Sequence, residues 1–260
     1  MLILLPPSES KTAPVSGDPV SLDTLSFPEL TKDRDHLATT LARVSGQKNA
    51  LSVLGVGESL AADVARNREL PTAPTAPALS VYSGVLYDAL DADSLSGAAH
   101  EVAERSLMVI SALWGAVRPS DHIPAYRLSM GTDLPRHGKL NTWWKPRLSP
   151  VLDRVATDQV IVDCRSAAYA AAWKAPAAET IAVRVEQLNE AGKRSVVSHN
   201  AKYTRGLVAR FLCEYEAEHG AFETVHAVRD ALSKRWRVEL TEPTARKAGT
   251  LTVVLDPPTV

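Results

Sequence analysis

The chain has 260 residues, 45% of them hydrophobic and 23% charged, with a formal net charge of -1. Such a composition can bury a sizeable core without disulfides or structural metal, and it excludes a uniformly basic nucleic-acid binder, because any cations that serve a polyanion must be gathered on one face. Two cysteines without CxxC spacing argue against a disulfide or zinc framework, and no run approaches the roughly 18 apolar residues needed to span a bilayer, so a cytoplasmic protein with no membrane partner is expected.

Residues 2–5 form an apolar run ended by Pro6 and Pro7. The run lacks a basic start and is too short for a signal peptide, so it reads as a buried first strand. Just past it lies Ser8-Glu9-Ser10-Lys11-Thr12, where two hydroxyls and an ammonium could cradle a phosphate at a strand end. No glycine-rich loop accompanies them, and a plain polar turn is the competing reading.

Residues 28–44 carry a helical pattern with Leu30, Leu37 and Leu41 on one side. Over residues 47–68, Gly55-Val56-Gly57 precedes a second helical stretch at 59–67, in the manner of a helix-hairpin-helix element. Glycines there would let backbone amides approach a phosphate, with the positive end of the helix dipole adding to the attraction. The alternative is a turn in which the two glycines only satisfy positive φ. Glu58 would repel phosphate, while Arg66 and Arg68 follow about two turns later. Three prolines over residues 71–78 favour an extended segment strapped onto one domain.

Helices are expected near 95–105, 141–155, 202–218 and 224–232. Strands are expected at 107–113, 159–163, 181–185, 195–198, 236–240 and 251–255. Strands and helices interleave throughout, so the expected fold is α/β (mixed α+β): one compact domain over residues 1–260, with a central mixed sheet wrapped by helices.

After the 107–113 strand comes a proline-punctuated loop bearing Arg118, Asp121, Tyr126 and Arg127. Arginine offers a planar fork for phosphate or carboxylate, although an Arg–Asp pair could equally hold the loop in shape. Ser166 and Tyr169 follow the 159–163 strand and could face the same sheet end. Cys164 beside Arg165 could have a lowered pKa or be an inert core thiol. In the 202–218 helix, Leu207, Val208, Phe211, Leu212 and Tyr215 share one face, with Lys202, Arg205 and Arg210 opposite. Gly206 could admit a ligand there, and His199 and Asn200 could cap the helix or join the site; a solvated face is the bland alternative. Trp143 and Trp144 read as core. The seven histidines show no HxxxH spacing, so neither a metal nor a cofactor is expected.

The opening LPPSESK, then VYSGVLYDAL, SALWGAVRPSDHIPAYRLSMG, VDCRSAAY and SHNAKYTRGLVAR, together resemble the YaaA family of peroxide stress proteins. That resemblance implies one compact domain on a mixed sheet, a helix-hairpin-helix-like element, a positively charged cleft, and DNA binding without sequence preference. It also implies protection against peroxide. The family's polar motif falls on Ser8, Lys11, Arg118, Asp121, Tyr126, Arg127, Ser166, Tyr169, Lys202, Arg205 and Arg210. The opening departs from the common SPAKT form, reading PPSESKT with two extra residues.

Two functions compete. One is sequence-independent DNA binding through Gly55, Gly57 and a basic cleft formed by Ser8, Lys11, Arg118, Arg127, Lys202, Arg205 and Arg210. The other is an enzyme acting on a nucleotide or another phosphorylated small molecule, with catalytic candidates Asp121, Tyr126, Ser166 and Tyr169. Both need cations distant in sequence to converge.

Overall fold

The computed structural model describes residues 1–196 and 198–257, with 198 and 199 described as backbone alone. The side chain of His199 therefore lies outside the described residues, as does position 197 of the expected 195–198 strand. The chain opens with β1 (Leu2–Leu5), whose four apolar residues are all buried. Helices α1 (Thr31–Ser45), α2 (Ala50–Leu54) and α3 (Ala61–Arg66) follow. Next come the two-residue β2 (Ala76–Pro77), α4 (Ala78–Val81), α5 (Val85–Leu90) and α6 (Gly97–Ser106). The middle of the chain holds β3 (Leu107–Ser111), β4 (Gly115–Val117), β5 (His122–Ile123), β6 (Asp133–Leu134), β7 (Gly138–Lys139) and α7 (Leu140–Val155). Then come β8 (Ile161–Asp163), α8 (Ala167–Ala170), β9 (Thr180–Leu188), β10 (Arg194–Val196), α9 (Ser198–His219), α10 (Val225–Ser233), β11 (Arg237–Thr241) and β12 (Gly249–Leu255).

Eight strands form one mixed sheet in the order β11-β12-β9-β8-β1-β3-β4, with β10 paired to β9. The inner strands β12, β9, β8, β1 and β3 run parallel, while β11, β4 and β10 pair antiparallel. Continuous apolar runs such as Leu2–Leu5 suit strands covered on both faces. This is the α/β fold expected. Among the described residues, no helix is long and apolar enough to cross a membrane.

The strand expected to reach residue 113 stops at Ser111. The Ser111 hydroxyl accepts from the Leu113 and Trp114 amides, at 3.2 and 3.0 Å, and turns the chain back into antiparallel β4. Gly115 sits at that turn with φ 72°, and a Cβ there would lie 2.7 Å from the Trp144 ring. Trp144 is itself buried, donating to the Ala112 carbonyl at 2.8 Å, as its core assignment required.

The proline-rich segment is strapped down as expected. The Thr75 amide and hydroxyl both reach the Asp18 carbonyl, and Ala76–Pro77 pairs with His122–Ile123. Behind it, the fully buried Arg34 of α1 donates to the carbonyls of Ser26, Phe27, Trp114 and Ala116, at 2.6 to 3.3 Å. A guanidinium has enough donors to satisfy four buried acceptors at once, so Arg34 fastens the N-terminal arm to the β3–β4 turn.

Candidate functional site

Parallel strands β1 and β8 end side by side, and their exits are where α/β sheets tend to hold ligands. From β1 the chain runs through Pro6, Pro7, Ser8, Glu9 and Ser10. From β8 it passes Ser166 into α8, which carries Tyr169. Residues 83–87 at the start of α5, with Lys202 and Arg205 of α9, close a cleft of about 280 Å³. Gly84 starts α5 at φ 91°, a conformation that favours glycine. The Tyr87 hydroxyl donates to the Pro6 carbonyl at 2.7 Å, and the Ser83 amide donates to the Ser8 hydroxyl at 3.0 Å, so α5 is fixed to the β1 exit. The Ser8 hydroxyl in turn donates to the Ser10 carbonyl.

The cleft has a cationic wall. Arg205 spends Nε and Nη2 on the Val183 carbonyl, at 3.2 and 2.9 Å, which holds the guanidinium in place; Lys202 is exposed. The same cleft is lined by Ser8, Ser10 and Ser166 and by Pro6, Pro7 and Leu86.

Beside this cleft lies a second layer of polar groups. The Lys11 ammonium donates to the Ser8 carbonyl at 2.6 Å and lies 4.2 Å from the centre of the Tyr126 ring. Burial holds the Lys11 amine down to about 7; Glu9 opposes the shift and Arg127 reinforces it. Arg127 binds Glu9 twice, through its carboxylate at 3.2 Å and its carbonyl at 3.0 Å. Buried Asn67 clamps the Arg127 backbone, accepting from its amide at 2.8 Å and donating to its carbonyl at 3.0 Å. The Tyr126 hydroxyl shares hydrogen bonds with Ser111 at 2.7 Å and Tyr82 at 3.1 Å. Burial pushes the pKa of Tyr82, Tyr126 and Tyr169 upward, so these phenols stay protonated. Tyr126 therefore serves as a bonded element of the wall behind the cleft.

Of the five cations whose convergence the sequence required, Lys11, Arg127, Lys202 and Arg205 gather at this end of the sheet. Arg118 does not. Because β4 runs antiparallel to β3, the residue after β4 lies where β3 begins. There Arg118 donates to the carbonyls of Arg105 at 2.6 Å and Leu107 at 3.4 Å.

Asp121 acts as a staple and does not line the cleft. It accepts from the Ser26 amide and hydroxyl at 2.8 and 3.0 Å and from the Arg118 amide at 2.7 Å. Arg210 is likewise taken up in structure, bound to the carbonyls of Leu90 and Asp91 and to Glu214 at 2.8 Å. Gly206 meets the α5 backbone and leaves no room for a ligand. Of the two readings of Cys164, the inert core thiol fits: burial raises it to about 12, and Arg165 is spent on Asp163 at 2.7 Å.

Gly55 caps α2 in the left-handed region at φ 65°, whereas Gly57 is extended at φ -83°. Both are exposed. The helix beyond them, α3, has only six residues and carries Asp63 in its first turn, after Glu58 in the preceding 3-10 turn.

Sequence reasoning missed Glu9, Tyr82 and Tyr87. The Ser83-Gly84 pair signals a turn before α5, but nothing local shows that Tyr87 reaches Pro6.

A family model described as Peroxide stress protein YaaA matches residues 1–239. The chain is similar to a UPF0246 protein of Streptomyces coelicolor, 47% identical over 236 residues, which covers 88% of this chain and 90% of that one. It is also similar to a UPF0246 protein of Corynebacterium efficiens, 47% identical with 82% and 84% covered, and to one of Marinomonas sp., 32% identical with 81% and 84% covered.

Proposed function

The chain belongs to the YaaA family of peroxide stress proteins, and from that premise we propose that its cleft binds a phosphorylated small molecule, with a nucleotide as the best-suited class. The observation that carries this reading is that Lys202 and Arg205 line one concavity together with Ser10 and Ser166. Phosphate oxygens need both cations and hydrogen-bond donors. The Val183 carbonyl holds Arg205 before any ligand arrives, so little side-chain entropy is lost on binding. Pro6, Pro7, Leu86 and Tyr87 supply an apolar surface on which a base could lie. Inorganic phosphate and a panel of nucleoside mono-, di- and triphosphates, titrated calorimetrically, test the reading. Arg205→Met and Lys202→Met should each weaken the tightest ligand about tenfold or more. A silent panel at low salt, or affinity untouched by both variants, sinks it.

One observation favours the DNA reading as well. Tyr203, which follows Lys202 in α9, is 49% exposed, and an exposed aromatic on an element that carries cations suits stacking on nucleic acid. Binding to duplex or single-stranded DNA should then fall by roughly 0.7–0.9 log units per log of salt for each phosphate neutralised. No retention of either form at low salt would end this reading and leave the nucleotide reading standing.

A further inference from the structure

One residue of the cleft works against the ligand proposed for it. Among the described residues that line the cleft, Glu9 is the sole carboxylate, in a concavity that also holds Lys202 and Arg205. It pairs with neither of these cations. Its partner is Arg127, with Oε2 lying 3.2 Å from Nη2. Arg127 does not itself line the cleft, but it touches a lining residue twice, because its Nη1 also donates to the Glu9 carbonyl at 3.0 Å.

The two partners are held with unequal firmness. The Arg127 side chain is 15% exposed, and buried Asn67 grips its backbone amide and carbonyl at 2.8 and 3.0 Å. The bond to the Glu9 carbonyl needs no carboxylate. The Glu9 side chain is 47% exposed, and its carboxylate has no other partner among the described residues. The carboxylate can therefore swing into solvent while the guanidinium stays beside the turn that follows β1. An ion pair as exposed as this one contributes little. A phosphate on the same arginine makes charge-assisted bonds and can engage the planar fork through two oxygens.

We infer that Glu9 is a built-in competitor for the ligand of the cleft: its carboxylate occupies Arg127 while the cleft is empty and gives that arginine up to a phosphate group that binds. This rests on the phosphate reading of the cleft, and it adds Arg127 as a third cation for the ligand, held in reserve by an acidic latch.

Inorganic phosphate and AMP, titrated calorimetrically into the full-length protein, test it. Glu9→Gln keeps the side-chain shape and removes the charge, so it should tighten both probes about three- to fivefold. Glu218→Gln removes an exposed charge about 20 Å along α9 from Arg205 and should leave both affinities unaltered. The tightening should vanish when the arginine is absent, so Glu9→Gln/Arg127→Met should bind no better than Arg127→Met alone. Circular dichroism would first establish that each variant folds, with Arg127→Gln as the replacement should the methionine variant fail. Because Glu9 is half-exposed, the Glu9→Gln comparison stands without the arginine variants. Parent binding that does not tighten in Glu9→Gln, an equal gain in Glu218→Gln, or a gain that persists without Arg127 overturns the latch and leaves the phosphate reading intact. Silence towards both probes in the parent and in Glu9→Gln removes the phosphate reading, and the latch with it.

Discussion

Gly206 of α9 lies so close to the Leu86 carbonyl oxygen of α5 that a Cβ on Gly206 would come within 2.1 Å of it. Two backbones therefore meet with no side chain between them. Gly206→Ala should push α5 outward and destabilise the protein by about 2–4 kcal/mol in urea unfolding. Since Leu86 and Tyr87 line the cleft, ligand affinity should fall in the same variant. Gly57→Ala, at φ -83° with open space around it, should stay within about 0.5 kcal/mol of the parent. Equal stability of the Gly206 variant would mean that the two helices do not pack this way.

Lys11 should make stability depend on pH. Its amine titrates near 7 when folded, against an ordinary value of 10.5, so between those values the unfolded chain binds more protons and stability rises with pH. The cost of the buried charge is fully present below about pH 7 and is gone above 10.5. Lys11→Met should therefore be more stable than the parent at pH 6, by roughly 2 kcal/mol after allowance for solvent screening. The gap should close towards pH 10. A pH-independent difference between the two proteins would refute this. An anion bound nearby should favour the protonated amine, so its affinity should decline as pH climbs past 7.

Asp121→Asn removes a charge that three donors share, none of them in the cleft. A loss of about 1–2 kcal/mol is expected, with nucleotide affinity unchanged. A large fall in affinity at unchanged stability would restore Asp121 as a functional carboxylate.

Arg34 ties four carbonyls together, and Arg34→Met strands all of them. The expected destabilisation is about 3–5 kcal/mol, measured by denaturant titration. Arg34→Lys should recover only part of it, because an ammonium lacks the fork that reaches Ser26, Trp114 and Ala116 together. Full recovery by lysine would show that charge alone suffices.

The thiols should be inert to peroxide. Burial pushes both Cys164 and Cys213 up to about 12, and the thiolate is the reactive form. Native protein exposed to hydrogen peroxide should show no sulfenic acid by mass spectrometry, whereas protein in denaturant should be oxidised readily. Oxidation of either cysteine in the folded state would contradict the burial.

Much of this architecture can be read directly from the residues. Runs such as Leu2–Leu5 and residues 107–110 are apolar throughout, and a strand covered on both faces suits them. The six-residue α5 leaves too short a pattern to detect, yet it forms one wall of the cleft. For the site, position after a strand pointed to Ser8 and Ser166, and the cationic side of α9 pointed to Lys202 and Arg205. The same reasoning could not separate Arg205 from Arg118, Arg165 or Arg210. What distinguishes them is that Arg205 alone of the four lines the cleft, and the partners that hold the others elsewhere lie as much as 120 residues away. Glu9 escaped notice because its partner Arg127 is 118 positions distant.

The place of β1 in the middle of the sheet governs how the chain can assemble. Ile3 pairs with Leu107 on one side and Val162 on the other, so its two neighbours leave the ribosome long after it does. At roughly 5–20 residues per second, a greasy tetrad waits on the order of ten to thirty seconds for its second partner. Nascent chains halted before Ile161 should accordingly recruit chaperones and resist compaction, and refolding from denaturant should be slow, since the central pairings close loops of more than a hundred residues.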